Sequence, residues 1–600
     1  MSLPPLANLF AAYDPDAGAL AALAHDLSTS GEFRRVSRPS PGWVVATRPL
    51  PGGEARRGPA SDGVIEFVEG HDVVQHRLGE LCRLADQAPE RLARLPGDFG
   101  FVRFHADGRA TVVRSSGGLV PLYVTAAGDR RAVATRLGDL VRYLPDEPRL
   151  DPLVNAAWTS GWGVFPNGRT FLDNVTILQR GSFARLTPGR PMATGRYWDP
   201  RPARLAPPTQ AQTVEHAARL RALLVATLER ELHPAGGNLL TLSGGVDSSS
   251  LAALAVGVVH RPLATWSLVP DPDAAFEREC RYIEPLGRRL GIERMHIVRL
   301  RQETRLELLR AAPPVVCHVV HPALCALPQV CAETDVRVLL GGEFADEVCG
   351  SVFTLPDWAL NTTPRALLAQ VGRLPLGPRD MLRWVKHRWL HMVRRPAMPF
   401  APELPEFIRA ELRDEYRGWV AARQRAAADE PAARRALALR AEADGFVVMN
   451  WEAASALGIR RSFPFFNRAV LELAFECHPS ELVGPGTKKL LRSALAADVP
   501  QENLFRPDKG QWGDYLQGAQ FESPTRLPAR LAAVVRPEWY PQAPRLLSYR
   551  DAVGLTQLTI FVRSLTTRRG ARAARTERGS VHSLVSAGAP SERGGLGNGG

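Results

Sequence analysis

No segment constrains this chain more than Leu239 to Ser250. Leu239-Leu240-Thr241-Leu242 is an apolar run with strand character, Ser243-Gly244-Gly245 interrupts it, and Val246-Asp247-Ser248-Ser249-Ser250 leads into Leu251-Ala252-Ala253-Leu254. The pattern predicts a buried strand, a tight turn and a helix. Two glycines in the turn let the backbone come close to a ligand. The N–H groups at the helix start lack intrahelical partners and the serine hydroxyls add donors, so the turn can cradle an anion. Asp247 is out of place beside a phosphate unless a cation lies between them, and Mg2+ is the usual one. No Gly-Lys-Ser/Thr follows the glycines, so this is not a Walker loop.

The sequence around the loop repeats the same alternation. Ahead of it, Val214, Ala217, Leu220, Leu223, Leu224 and Leu228 have helical spacing. Beyond it, residues 263–269 read as a strand, 276–290 as a helix and 295–298 as another strand. Val336 to Leu340 is a further strand that ends at Gly341-Gly342, with Glu343, Asp346 and Glu347 following. Such alternation predicts a doubly wound parallel sheet, an α/β fold whose ligands lie beyond the carboxyl ends of its strands. Ser267 and Leu268, at the expected end of the second strand, are therefore candidate neighbours of an adenine.

The first 200 residues read differently. Residues 42–47 and 64–68 look like strands, and 99–104 and 110–114 alternate with period two around Ala106-Asp107-Gly108, a hairpin. Six hundred residues exceed one core. We expect a first domain over 1–200, a Pro-rich linker over 201–211, and a second domain over 212–567 with helical additions. Residues 568–600 form a basic, Gly-rich tail expected to be disordered.

Basic residues outnumber acidic ones, 75 to 62, partly through an arginine cluster at 568–578. No aromatic residues interleave that cluster, so nucleic acid is not an expected partner. Seven dispersed cysteines without a Cys-x-x-Cys pair argue against a disulfide scaffold or zinc site and for a reducing compartment. Met1 to Pro5 shows no signal-peptide pattern, and no apolar run of about 18 residues appears. The expectation is a cytoplasmic protein without a membrane partner.

Ser243-Gly244-Gly245-x-Asp247-Ser248-Ser249 resembles the pyrophosphate loop of the ATP pyrophosphatases, which cleave ATP between the α- and β-phosphates. The likeness implies that Leu242, Ser243, Gly244, Gly245, Asp247, Ser248 and Ser249 contact ATP or pyrophosphate, together with Gly341 and Gly342. Leu339 to Glu347 resembles the Ser-Gly-Glu-Gly-Ala-Asp-Glu signature of the class B asparagine synthetases, with Gly341 for the serine and Phe344 for the second glycine. By that resemblance Asp247 and Asp346 bind Mg2+, and Glu343 faces the substrate. Gly458 to Asn467 resembles the family's Arg-x-Pro-Phe-Leu-Asp turn, with Ser462 for the arginine and Asn467 for the aspartate. Lys488 to Arg492 resembles its Lys-x-Leu-Leu-Arg helix, and Arg506 to Gly510 its Arg-x-Lys ending with one extra residue. The two family lysines then fall on Lys488, with Lys489 as the alternative register, and on Lys509. Lys509 would stabilise the charge that develops as the bond forms.

Gly97 to Phe101, Arg114 to Gly118, Pro121-Leu122-Tyr123, Gly181 to Leu186 and Tyr197-Trp198-Asp199-Pro200 resemble the same family's class II glutamine amidotransferase domain, an Ntn-hydrolase-like αββα sandwich. Its nucleophile is an N-terminal cysteine, whereas here no cysteine precedes Cys82, Ser2 is a weak substitute, and Ser115 stands for an aspartate. The domain is expected to keep its fold and to have lost glutaminase chemistry. The resemblance implies an AMP-forming amide ligase that uses ATP and Mg2+, with an amine carried by the substrate itself. Keeping Glu343, where β-lactam synthetases carry tyrosine, points towards the lasso-peptide macrolactam synthetases. The partner would then be a precursor peptide, delivered by a leader-binding or protease protein. The alternatives are a β-lactam synthetase, an ammonia- or glutamine-dependent asparagine synthetase, and a non-catalytic ATP-binding scaffold for a precursor peptide.

Overall fold

The computed structural model describes residues 7–30, 33, 35–49, 63–68, 83–84, 86–94, 99–143, 149–159, 168–199, 207–270, 273–300, 327–328, 330–332, 334–350, 403–427, 443–484, 486–506, 520–522, 529–536, 546–548, 555 and 558–559. The first part contains two antiparallel sheets. One is built from β1 (Ala7–Tyr13), β2 (Arg35–Ser37), β3 (Trp43–Pro49), β7 (Tyr123–Ala127), β8 (Arg130–Ala134) and β9 (Val175–Ile177), in the order β2-β3-β1-β8-β7-β9. The other takes β4 (Gly63–Val68), β5 (Gly100–His105), β6 (Ala110–Arg114), β10 (Ser182–Leu186) and β11 (Ala193–Arg196), in the order β11-β10-β6-β5-β4.

Period-two alternation in these strands builds three layers of core. Leu9 and Ala11 of β1 meet Val102, Phe104 and Val112 between the sheets. Phe10 and Ala12, the intervening residues, pack outward against Leu20 and Leu27 of α1 (Ala17–Thr29) and Leu153 and Val154. On the far face of the second sheet, Phe101 and Val113 pack with Leu84, Leu92 and Tyr197. The result is a sandwich with apolar packing on both outer faces, because central strands such as β5, β6 and β8 are buried on both sides, whereas the edge strands β2 and β11 are partly exposed.

The second part is a five-stranded parallel sheet. Its strands are β12 (Asn238–Thr241), β13 (Ala264–Pro270), β14 (Met295–Leu300), β15 (Val338–Leu340) and β16 (Arg460–Ser462), in the order β14-β13-β12-β15-β16. The chain leaves β12 towards β13 on one side and returns to β15 on the other, so the two glycine-containing loops end neighbouring strands. The helices used below are α2 (Leu137–Tyr143), α3 (Pro152–Thr159), α4 (Gln210–Glu231), α5 (Val246–Gly257), α6 (Asp273–Arg289), α7 (Ala345–Cys349), α8 (Ala410–Ala427), α9 (Ala443–Ala456), α10 (Arg468–Glu476), α11 (Lys489–Ala494) and α12 (Gln501–Leu504). Thr209 and Gln212 form a capping box that starts α4. Leu224 and Leu228 of α4 and Leu251 and Leu254 of α5 cover one face of the sheet, and Leu239, Trp266, Leu339 and Ile459 lie on the other.

Two local expectations change. The stretch 458–467 is not only a turn, since Arg460-Arg461-Ser462 is β16. Three polar residues give no apolar pattern, and burial beside β15 makes them a strand. β13 runs on to Pro270, so Ser267 and Leu268 lie inside the strand instead of at its end.

Packing crosses the boundary expected near residue 200. Leu412 and Tyr416 of α8, Val448 and Met449 of α9, and Leu531, Val534 and Val535 share a core with Phe10 and Tyr123. Residues 200–206, 351–402 and the tail lie outside the described residues. Among the described residues, no helix is long and apolar enough to cross a membrane.

Candidate active site

The loop after β12 has the conformation that its glycines allow. Gly244 has φ +68°, and a Cβ there would come within 2.7 Å of Tyr282 Cβ, so the position favours glycine twice over. Gly245 is the N-cap of α5 and supplies no side-chain cap, which leaves the first-turn N–H groups open. The Ser243 N–H donates to Ser248 Oγ at 3.1 Å, and the two hydroxyls are 3.2 Å apart. Ser249 and Ser250 Oγ are buried without a hydrogen-bond partner. Ser267 is committed elsewhere, donating to Leu242 O at 2.6 Å and locking β13 to the end of β12.

The second glycine loop lies against the first. A Cβ on Gly342 would be 3.0 Å from Asp247 Cβ and 3.1 Å from Ser248 N. A Cβ on Gly341 would collide with the Glu343 carboxylate, so the serine of the family signature could not keep this side-chain arrangement. Phe344 has φ +69°, a left-handed conformation at the position where the signature carries glycine. Its buried ring stacks on Phe466 at 4.0 Å and meets Phe463 and Phe446 edge-on at 5.2 and 5.5 Å. The aromatic contacts offset the backbone strain and fix the direction in which Glu343 and Asp346 leave the loop.

Lys488 joins the two loops. Its backbone is also left-handed, at φ +60°, where it caps α11. Its ammonium forms a short ion pair with Asp247 Oδ2 and lies 2.8 Å from Asp346 Oδ1. Burial disfavours this ammonium, but Asp247 and Asp346 outweigh that and hold its pKa well above the ordinary lysine value. Asp247 Oδ1 remains buried with no hydrogen-bond partner. Lys489 points away, donating to Ser480 O at 3.2 Å, so Lys488 is the lysine that faces the carboxylates.

Glu343 has the same divided character. Its Oε1 pairs with Arg461 Nη2 at 2.7 Å, and its Oε2 is buried without a hydrogen-bond partner. Arg461 is held by Leu339 O at 3.1 Å and Asn450 Oδ1 at 3.1 Å, with its guanidinium 4.3 Å from the Phe463 ring. Burial lowers the guanidinium's pKa, and Glu343 works in the opposite direction. Ser462, at the position of the family arginine, instead donates a short hydrogen bond to Glu231 on α4. Arg461 stands one residue ahead of the family arginine's position, and in the sequence only the Arg460-Arg461 pair just before the turn marks it.

Two further residues brace the first loop. Asn503 Nδ2 donates to Gly244 O at 3.0 Å and Tyr282 O at 2.9 Å. Arg506 donates to Ser243 O at 2.8 Å and pairs with Glu279 of α6 at 2.9 Å. The structure therefore brings together Leu242 to Ser249, Gly341 to Glu343, Asp346 and Lys488. Lys509 lies outside the described residues. Asp247 and Asp346 offer only carboxylate oxygens, one of them orphaned, beside the open end of α5, and these residues fit a hard divalent cation and its anion.

The asparagine synthase family model matches residues 219–553. Curated relatives from Mycobacterium bovis and Mycobacterium tuberculosis, each called "Putative asparagine synthetase (glutamine-hydrolyzing)", are 29% identical over 309 residues. The match covers 48% of this chain and 44% of each relative, so the chain spans less than half the length of these relatives. Among solved structures, the allosteric regulatory enzyme of purine biosynthesis overlaps 52% of this chain and 82% of its own, at 10% identity and a TM-score of 0.22. An NMN synthetase from Francisella tularensis overlaps 23% and 57%, at 18% identity and a TM-score of 0.17. At such scores neither structure informs the site.

Proposed function

The chain belongs to the asparagine synthase family, and on that premise we propose that it forms amide bonds at the expense of ATP. In this reading a substrate carboxylate is adenylated with release of pyrophosphate, and an amine then displaces AMP. The observation that carries it is the meeting of two loops at Lys488. Asp247 and Asp346 converge there on one ammonium, next to an uncapped helix start and a buried, unpartnered carboxylate oxygen.

Each residue then has a distinct task. The N–H groups that open α5 and the Ser243–Ser248 hydroxyl pair bind phosphate oxygens. Asp247 and Asp346 hold Mg2+, which screens the phosphates when bound. Lys488 keeps the two carboxylates at one point and adds positive charge where pyrophosphate leaves. Glu343, oriented by Arg461, presents Oε2 to the substrate and takes the proton of the attacking amine. Holding carboxylate and amine together makes the second step effectively intramolecular, a gain of up to roughly 7–11 kcal/mol in ideal cases.

The finer assignment is a macrolactam synthetase of the lasso-peptide kind, which joins a peptide's N-terminal amine to an Asp or Glu side chain. Two features support a substrate-borne amine. Glu343 is present as an acid with one buried carboxylate oxygen, where the β-lactam type has tyrosine. Ser115, at the position of an amidotransferase aspartate, is fully buried and accepts the Gly118 N–H at 3.1 Å. The test uses Glu343→Gln with peptides that carry a free N-terminus and an internal Asp or Glu. ATP–pyrophosphate exchange should persist while amide formation falls roughly 10²–10⁴-fold. Equal loss of both reactions would remove Glu343 from the second step.

A further inference from the structure

Away from the nucleotide site, three side chains from distant parts of the sequence converge. His216 comes from α4, Cys477 is the C-cap of α10, and Glu481 lies in the short helix Pro479–Leu482. His216 Nδ1 is 2.8 Å from Glu481 Oε1 and 3.7 Å from Cys477 Sγ, and all three atoms fall within 4.8 Å of one another. That spacing suits one cation bound at roughly 2.0–2.3 Å from nitrogen, sulfur and oxygen. Histidine and cysteine are 261 residues apart in the chain, which is why no Cys-x-x-Cys or His-x-x-x-His spacing announces them.

We infer that His216, Cys477 and Glu481 form a binding site for a thiophilic divalent cation of the zinc type. The charge balance favours it: a thiolate, a carboxylate and a neutral imidazole carry two negative charges between them. Binding breaks the Cys477 S–H bond, releases the proton to solvent and forms the metal–sulfur bond without any redox change. Cys477 and Glu481 are almost fully buried, whereas the His216 side chain is 16% exposed and marks the route of entry. The ligands are also supported from behind. Glu481 Oε2 accepts the His478 N–H at 2.9 Å, which orients Oε1 towards His216 in the way outer hydrogen bonds orient metal ligands. A sulfur–nitrogen–oxygen set selects zinc over the hard Mg2+ expected between Asp247 and Asp346. The cation would clamp α4 to the segment that leads into Lys488.

The test is made on the full chain, purified without a metal-affinity tag. Zinc content should approach one equivalent, and Co2+ added to chelator-stripped protein should produce a thiolate-to-cobalt charge-transfer band. Cys477→Ser should abolish that band, and Glu481→Gln, which preserves shape, should weaken binding by at least about 10-fold. Zinc far below one equivalent together with no cobalt band in the wild-type chain overturns the site. So does a band that survives Cys477→Ser. If either variant fails to fold, zinc content and the cobalt titration of the wild-type chain decide on their own.

Discussion

At Lys488 one buried ammonium pairs with two partly buried carboxylates that belong to different loops. Its removal therefore has a definite consequence. Lys488→Met removes the ammonium that Asp247 and Asp346 share, and because Asp346 is 36% exposed the loss in chemical denaturation should fall short of a fully buried pair, at about 1–3 kcal/mol. Added Mg2+ should recover part of that loss, because it can replace the ammonium between the carboxylates, and ATP–pyrophosphate exchange should be lost. Unchanged stability would show that the pair is not closed in solution. Motif spacing singled out Asp247, Asp346 and Lys488, which the structure brings into contact, and Glu343 on the same loop as Asp346. It could not find the Arg461–Glu343 pair, since a family arginine displaced by one residue is visible only when β16 sets its direction. Nor could it tell that Ser267 spends its hydroxyl on Leu242 O, a hydrogen bond that depends on how far β13 runs.

The loop between β15 and α7 shows how an element accommodates a residue that its backbone disfavours. Phe344 adopts φ +69° at a cost of roughly 1–2 kcal/mol, and its ring regains stability by packing against Phe446, Phe463 and Phe466. Phe344→Ala keeps the backbone cost and empties the ring site, so urea unfolding should show about 3–5 kcal/mol of destabilisation. Phe344→Gly relieves the left-handed strain and should be no less stable than Phe344→Ala, the reverse of the usual order. A markedly weaker glycine variant would contradict the strain argument. The alternation of strand and helix, and the two glycine turns, were legible because apolar periodicity and glycine placement report local structure directly. β16 was not, since a three-residue polar strand exists only through its pairing with β15.

On the scale of the whole molecule, the sandwich and the parallel sheet share buried contacts. Glu452 of α9 accepts the Leu137 N–H at the start of α2 at 3.0 Å and lies 3.5 Å from Arg136. Burial raises its carboxyl pKa to about 7, against the pull of Arg136. The folded protein thus binds a proton between pH 4.5 and about 7 that the unfolded chain has released. Its contribution to stability is greatest below that window and declines as pH rises through it, by an amount on the order of 3 kcal/mol. Glu452→Gln should flatten the pH dependence of thermal unfolding between pH 5 and 8; an unchanged slope would assign it to other groups. No reading of local pattern could have supplied this contact, which links residues 315 positions apart.

In the proposed reaction the loops at Lys488 split ATP at the α-phosphate in order to join a carboxylate to an amine. The most direct measurement follows nucleotide and peptide together, with the wild-type chain, ATP, Mg2+ and peptides bearing a free N-terminus and an internal Asp or Glu. AMP and pyrophosphate should appear in step with a peptide lighter by one molecule of water. ADP and phosphate as products, or ATP binding with no nucleotide consumed for any carboxylate, would contradict that reaction.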